Sequence, residues 1–127
     1  MTFEAFKSYC LSKKGAEETY PFGDHAVWFK LAGKAFAWTF IKPFTYGDET
    51  GEPFKFVNLK CDPEKALELR ASFEAVQPGW HQNKKHWNSV FMDGSLADKQ
   101  FKEIIDHSYE IVLASLPKKQ RVAIENH

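Results

Sequence analysis

The fold of this chain is decided by residues 26–41, AVWFKLAGKAFAWTFI. Two apolar and aromatic runs, 26–32 and 35–41, flank the pair Gly33-Lys34. A two-residue loop with glycine in its first position favours a type II′ turn, whose twist matches that of two antiparallel strands. The segment therefore predicts a β-hairpin that turns at Gly33-Lys34.

The register of this hairpin follows from the position of its turn. Side chains alternate between the two faces of a strand, so each cross-strand pair lies on one face. One face is expected to be core, with the pairs Leu31–Phe36, Phe29–Trp38 and Val27–Phe40. The other face is expected to be half polar, with the pairs Lys30–Ala37 and Trp28–Thr39.

The residues before the hairpin predict a helix over 3–13. Phe3, Phe6 and Cys10 recur at helical spacing, and the Thr2 side chain can cap the first turn. A turn over residues 20–24 then leads into the hairpin.

Beyond the hairpin, helix and strand patterns alternate. Asp62 and Pro63 fit the cap and the first residue of a second helix. Ser95 and Asp98 resemble a capping box for a last helix, which Pro117 ends. The remaining segments predict a loop over 43–53 and strands over 54–60, 74–77 and 87–92.

This order of elements predicts an α+β fold. We expect one compact domain over residues 1–117, with an antiparallel sheet whose one face is covered by the N- and C-terminal helices. The basic tail 118–127 is expected to be frayed.

Composition limits the classes of protein that the chain can represent. Its 127 residues are 43% apolar and carry zero net charge, which is unusual for a nucleic-acid-binding domain. No apolar run approaches the roughly 20 residues that cross a membrane. The two cysteines, Cys10 and Cys61, match no redox or ligand spacing. We therefore expect a cytoplasmic monomer that does not contact membranes.

The segment 78–88, PGWHQNKKHWN, is the candidate functional stretch. No acidic residue occurs between Glu74 and Asp93. Lysines can contact phosphates, amides can hydrogen-bond bases, and indoles can stack on them, so the leading hypothesis is nucleic-acid binding, with DNA as the partner. The predicted site consists of Trp80, His81, Asn83, Lys84, Lys85, His86 and Asn88, with Lys30 and Lys34 from the hairpin.

Two other functions fit the same residues. An aromatic patch that includes Trp80 and Trp28, beside the loop 43–53, could anchor a protein or peptide partner. Alternatively, His81, His86 and Tyr46 could line a small-molecule pocket. One of the two tryptophans in segment 78–88 is expected to be buried, and alternation with Ser89 and Phe91 would allow that residue to be Trp87.

Enzyme and metal chemistry have little support in the residues. The chain has no Gly-x-Ser-x-Gly motif and no phosphate-binding glycine loop. Cys61 precedes a helix N-terminus, a position that can lower a thiol pKa, but a small buried residue is the simpler interpretation. His81 and His86, even joined by His25, fall short of a complete zinc site. We expect no cofactor, no metal and no catalytic residue.

The chain carries five motifs in this order: YPFGD (20–24), GKAFA (33–37), NLKCDP (58–63), PGWHQNKKHWN (78–88) and DHSYE (106–110). With these motifs it closely resembles the MmcQ/YjbR family over nearly its whole length. The resemblance implies a CyaY (frataxin)-like α+β fold and a "double wing" arrangement associated with DNA binding. Trp80 stands where the family often has Tyr, and the first helix, whose acidic residue is Glu4, lacks the acidic ridge that frataxin-type iron binding needs.

Overall fold

The computed structural model describes residues 1–46 and 49–126, without the side chains of residues 44, 46, 49 and 50. The helices are α1 (Phe3–Leu11), α2 (Pro63–Ser72), α3 (Asp98–Ser115) and α4 (Lys118–Glu125). The strands are β1 (Ala16–Thr19), β2 (Ala26–Leu31), β3 (Lys34–Phe40), β4 (Phe44–Tyr46), β5 (Glu49–Gly51), β6 (Phe56–Lys60), β7 (Val76–Pro78) and β8 (Trp87–Phe91).

Six strands form one antiparallel sheet in the order β1-β2-β3-β6-β8-β7. Helices α1 and α3 pack on one face of this sheet, where the main core lies. Phe6 of α1, for example, meets Phe29 of β2 edge to face, with ring centroids 5.6 Å apart. The predicted α+β fold, with the outer helices on one side of the sheet, is confirmed.

Two helix starts follow local chemistry, as predicted. The Thr2 hydroxyl accepts a hydrogen bond from the Ala5 N–H at 3.1 Å. The Asp62 carboxylate caps α2, and Pro63 occupies the first helical position. Both caps satisfy amide groups that have no partner inside the helix.

The predicted capping box of the last helix is wrong. The Ser95 hydroxyl and N–H both donate to the carboxylate of Asp93, at 2.6 and 2.9 Å. Helix α3 begins instead at Asp98, after Ala97, without a side-chain cap. Ser95 is thus held in a turn that its near neighbour Asp93 organises, as short polar side chains often do.

The C-terminal residues, expected to be frayed, form helix α4. Ile124 packs against the core, and the Lys14 ammonium donates to the Glu125 carbonyl at 3.0 Å. Strand β1 was also absent from the sequence prediction, because Ala16–Thr19 is polar and carries little strand signal. Tertiary contacts therefore decide both segments.

The turn of the central hairpin lies one residue earlier than predicted. Ala32 and Gly33 have positive φ angles of 49° and 82°, the combination that a type I′ turn requires, and Leu31 pairs with Lys34. A β-bulge at Phe36 then shifts the register again, so that Phe36 and Ala37 both join the main core.

This register places Trp38 and Phe40 on the face opposite to the predicted one. Trp38 pairs with Trp28, whereas the sequence predicted Phe29 as the partner of Trp38. The face away from α1 and α3, called the open face below, is therefore aromatic rather than half polar. Its apolar cluster comprises Ala26, Trp38, Phe40, Phe56 and Trp87, with Trp28, Ala35, Trp80 and Phe91 packed against it.

The segment 43–53, predicted as a loop, contains the small β4–β5 sheet. An added Cβ at Gly51 would meet the Phe40 ring at 2.5 Å, so this hairpin lies directly against the open face. Residues 47 and 48 of the predicted loop lie outside the described residues.

Candidate functional site

A cavity of about 450 Å³ lies on the open face, between two loops and the central strands. Its floor includes the indoles of Trp28 and Trp38, which stack almost in parallel with centroids 4.7 Å apart and an interplanar angle of 6°. The lining residues are Phe22, His25, Ala26, Trp28, Trp38, Phe40, Trp80, His81 and Gln82.

Trp80 forms one wall of this cavity. Its ring meets Phe40 and Phe56, with centroid distances of 5.4 and 5.9 Å. The preceding residue must be glycine, because a Cβ at Gly79 would lie 2.9 Å from the Trp87 carbonyl oxygen. Gly79 also donates its N–H to that oxygen at 3.0 Å. The Pro-Gly motif thus lets the loop approach β8 closely enough to place Trp80 over the sheet.

A short polar network ties the Trp80 backbone to the sheet. The Trp80 N–H donates to the Ser89 hydroxyl at 2.9 Å, and that hydroxyl donates to Asn58 Oδ1 at 2.6 Å. Both Ser89 and Asn58 are buried. The network therefore fixes the Asn58 amide, with its oxygen directed to Ser89.

Three buried donors on this face have no acceptor among the residues that the structure describes. They are Trp28 Nε1, Trp38 Nε1 and Asn58 Nδ2. Such groups are rare in folded proteins, and each costs about 1–3 kcal/mol when it is left unpaired. Trp28 pairs with Trp38, and Trp38 with Asn58, so the three residues form one row across neighbouring strands.

Arg70 of α2 holds the predicted segment 78–88 in place. Its Nε donates to Asn88 Oδ1 at 2.7 Å, and its Nη2 donates to the carbonyls of Lys84 and Trp87, the latter at 3.3 Å. Charged donors make stronger hydrogen bonds than neutral ones. Sequence reasoning assigned no role to Arg70, since nothing local marks it as the support of a segment 14 to 18 residues away.

Several residues of the predicted site make structural contacts. Asn88 is fully buried, and its amide also donates to the Ala66 carbonyl at 3.3 Å. Asn83 Oδ1 accepts the Lys85 N–H at 2.9 Å. The Lys84 ammonium donates to the Gly79 carbonyl at 2.7 Å, which closes the loop. The structure thus separates Asn88 from the surface on which the other predicted residues lie.

The other predicted residues divide between the cavity and the outer surface. Trp80 and His81 line the cavity, and His81 has a positive φ of 50°. Of the two tryptophans in the segment, Trp87 is buried and Trp80 is half-buried. The exposed predicted residues outside the cavity are Asn83, Lys84, Lys85, His86 and Lys34, and Lys30 is half-buried.

The cavity also uses residues that sequence reasoning did not assign to a site. Phe22, Trp38 and Phe40 were expected in a turn or in the core, and the shifted register brings them together. The pocket proposed from sequence included His86 and Tyr46. His86 does not line the cavity, and the Tyr46 side chain lies outside the described residues.

Nucleophile and metal chemistry gain no support from the geometry. Burial, and next to it the Asp62 charge, raises the pKa of the Cys61 thiol to about 11, so it stays protonated at neutral pH. Within residues 1–46 and 49–126, no group of three or more His, Cys, Asp and Glu side chains could hold a metal ion. No helix of that same part is long and apolar enough to cross a membrane.

These features define a class of protein: a single α+β domain with an aromatic cavity on the open face of a six-stranded antiparallel sheet. The YjbR family model matches residues 11–111, and the chain belongs to that family, as its motifs predicted.

The similar proteins agree with this assignment. "Uncharacterized protein YjbR" of Escherichia coli K12 is 35% identical over 121 residues, which cover 95% of each chain. "Uncharacterized protein YbdF" of E. coli O157:H7 is 31% identical, covering 93% of this chain and 89% of its own. The crystal structure of Deinococcus radiodurans protein DR2400, a DUF419 domain, has a TM-score of 0.80 at 31% identity and covers 98% of this chain and 88% of its own.

Proposed function

We propose that this protein binds a small planar aromatic ligand in the open-face cavity. The single observation that carries the proposal is the cavity wall, in which the stacked Trp28–Trp38 pair and Trp80 present aromatic surface to one open cavity. Apolar, largely preformed cavities with a few polar groups are the usual form of small-molecule sites. Aromatic side chains also favour flat rings, which can stack on their faces or meet their edges.

The cavity is lined mainly by aromatic side chains, with few polar groups among them. None of the described lining residues carries a carboxylate, and the polar side chains that line the cavity are His25, His81 and Gln82. His25 stacks on Phe40 with centroids 6.3 Å apart, and His81 meets Trp80 edge to face at 4.1 Å. The imidazoles are therefore placed at aromatic surfaces, where they could orient a ring rather than perform metal chemistry.

Trp80→Ala should weaken binding of the neutral fluorescent probe N-phenyl-1-naphthylamine by roughly tenfold or more, since one stacking or edge contact is worth about 1–3 kcal/mol. The enhancement of probe fluorescence on titration measures the affinity. Trp87→Phe is the matched control, because Trp87 lies on the same face but outside the cavity. Equal affinities of the two variants would refute this position of the site.

DNA binding is the second candidate, and one observation favours it. Lys84, Lys85, His81 and His86 are all exposed within the acid-free segment 75–92, so phosphates could approach them without repulsion. A few such contacts give non-specific affinity of about 10⁻⁴–10⁻⁶ M with a marked salt dependence. Zero net charge of the whole chain weakens this reading relative to the cavity.

Lys84→Glu/Lys85→Glu should abolish the binding of labelled DNA in fluorescence anisotropy at about 50 mM salt, and wild-type binding should weaken steeply by about 200 mM. The control pair Lys118→Glu/Lys119→Glu makes the same charge change on α4. Lys85→Glu alone leaves the bond from Lys84 to Gly79 intact and separates charge from loop structure. Salt-independent binding, or an equal loss in the control pair, would contradict a phosphate-binding surface here.

The expectations about a protein partner, the frataxin-type fold, the oligomeric state and the cellular location stay predictions. A protein or peptide partner would meet Trp80 and, on the side of Trp28, the exposed Phe22 that packs edge to face on it. The likeness to the frataxin-type fold, the monomeric state and the cytoplasmic location rest on the sequence arguments above. Cys10 and Cys61, both buried and unpaired, support a reducing compartment.

A further inference from the structure

We infer that the ligand of the open-face cavity carries an oxyanion, a carboxylate or a phosphate, which accepts hydrogen bonds from the unpaired indole N–H groups of Trp28 and Trp38, the two members of the donor row that line the cavity. The inference rests on the proposed function, and it adds the ligand's polar end to the flat ring already assigned. An aromatic acid or an aromatic phosphate ester has the required chemistry.

The donors themselves are the first reason. An indole N–H can only donate, so neither Trp28 nor Trp38 can be satisfied by another donor. Asn58 is fully buried, and its oxygen already accepts from Ser89, so the group left without a partner is again an N–H donor. The three residues are cross-strand neighbours, and the two indole donors at the cavity match a group with several acceptor oxygens and no hydrogen to donate.

The charges beside this row are the second reason. Lys30 follows Trp28 by two residues in β2, and Lys60 follows Asn58 by two residues in β6, so both lie on the open face. Within the described part of the chain, no carboxylate lies within 4.0 Å of either ammonium, although Glu17 is the cross-strand neighbour of Lys30. Lys60 instead lies over the Trp87 ring, 5.3 Å from its centroid. Lys30 and Lys60 therefore add positive charge to the face that carries the donor row, which favours a negative ligand group there.

Access to the donors requires a small movement. Each of the three nitrogens exposes less than 1 Å² to solvent. Phe22, which lines the cavity and packs on Trp28 with centroids 5.5 Å apart, is 65% exposed. Its displacement would sacrifice little buried contact and would uncover the floor of the cavity. We therefore expect Phe22 to move when the oxyanion enters.

Three probes with the same ring distinguish binding of the ring in the cavity from recognition of the oxyanion. They are naphthalene-2-carboxylate, 2-naphthyl phosphate and the neutral 2-methylnaphthalene. Affinities are measured by calorimetry, and the indole N–H signals are followed by ¹H–¹⁵N NMR. At least one anionic probe should bind roughly tenfold tighter than 2-methylnaphthalene, since a charged acceptor adds at least one strong hydrogen bond. The better of the two anions identifies the oxyanion. The Trp28 and Trp38 indole protons should shift downfield with it, and the Trp87 proton should not.

Two variants test the donors and the charge separately. Trp38→Phe keeps an aromatic floor but removes one donor, and it should lower affinity for the anionic probe alone. Lys30→Met should also lower the affinity for the anionic probe, because it removes a positive charge from the open face. Lys34→Met, at the exposed hairpin turn, should leave the affinities for all three probes unchanged. Equal binding of all three probes would overturn the oxyanion but keep the cavity. Failure of 2-methylnaphthalene and both anions to bind would overturn the proposed function itself.

Discussion

Trp38→Ala is expected to lower the free energy of unfolding by about 3–5 kcal/mol, the range for removing a large buried aromatic side chain. Trp38 is 4% exposed, stacks on Trp28 and meets the edge of Phe40 at 5.1 Å. Alanine would leave a void in the middle of the open-face cluster, and both neighbouring rings would lose a packing partner. Urea denaturation followed by far-UV circular dichroism measures this loss without relying on tryptophan fluorescence.

Phe22→Ala is the matched control, because Phe22 lines the same cavity but is 65% exposed. We expect it to change the free energy of unfolding by no more than about 0.5 kcal/mol, as for most surface substitutions. If Trp38→Ala cost no more than Phe22→Ala, the open face would not be a packed second core, and the register described above would be in doubt.

Arg70→Met is expected to destabilise the protein by roughly 3 kcal/mol, because it leaves the buried Asn88 oxygen without a charged donor and removes the guanidinium bonds to the Lys84 and Trp87 carbonyls, of which the latter keeps the Gly79 N–H. Methionine keeps most of the aliphatic volume, so the loss reports on the hydrogen bonds. The same change should weaken probe binding in the cavity, since Arg70 holds the loop from which Trp80 projects. Chemical denaturation gives the first quantity, and the probe titration gives the second.

Arg121→Met offers a direct comparison, since Arg121 is the other arginine of the chain and lies on α4. We expect its effect on stability and probe binding to be near zero. A variant at Arg70 that loses stability but keeps full probe affinity would show that the loop holds its position without the guanidinium. That result would remove Arg70 from the support of the cavity.

The sequence predicted most elements because local chemistry specifies them. Thr2 and Asp62 provide cap oxygens to their helices independently of tertiary contacts. Pro63 and Pro117 likewise restrict the backbone in any surroundings. The apolar residues within 54–60 and 87–92 likewise predicted two strands, which the structure places at residues 56–60 and 87–91. These signals depend on near neighbours in the chain, so the α+β fold and the family could be inferred from them.

The hairpin shows where local reasoning reaches its limit. Gly33 is consistent with two turns that differ by one residue, but moving the turn by one residue changes each cross-strand partner by two positions and leaves every side chain on its face. The bulge at Phe36 adds a single residue to β3, and this one-residue shift sends Trp38 and Phe40 to the open face. The choice depends on packing against Phe56 and Trp80, which are distant in the sequence.

By itself, therefore, the sequence determined the fold class, the family, the starts of α1 and α2 and the unusual composition of segment 78–88. Only the tertiary structure decided that Trp80 lies over the sheet, that Asn88 and Trp87 are buried, and that Arg70 holds the loop. The cavity joins residues 22–28, 38–40 and 80–82, and the row of unpaired donors spans three strands. Such sites arise from contacts between distant segments, whose free energy is set by packing and hydrogen bonding in three dimensions and leaves no local periodic pattern in the chain.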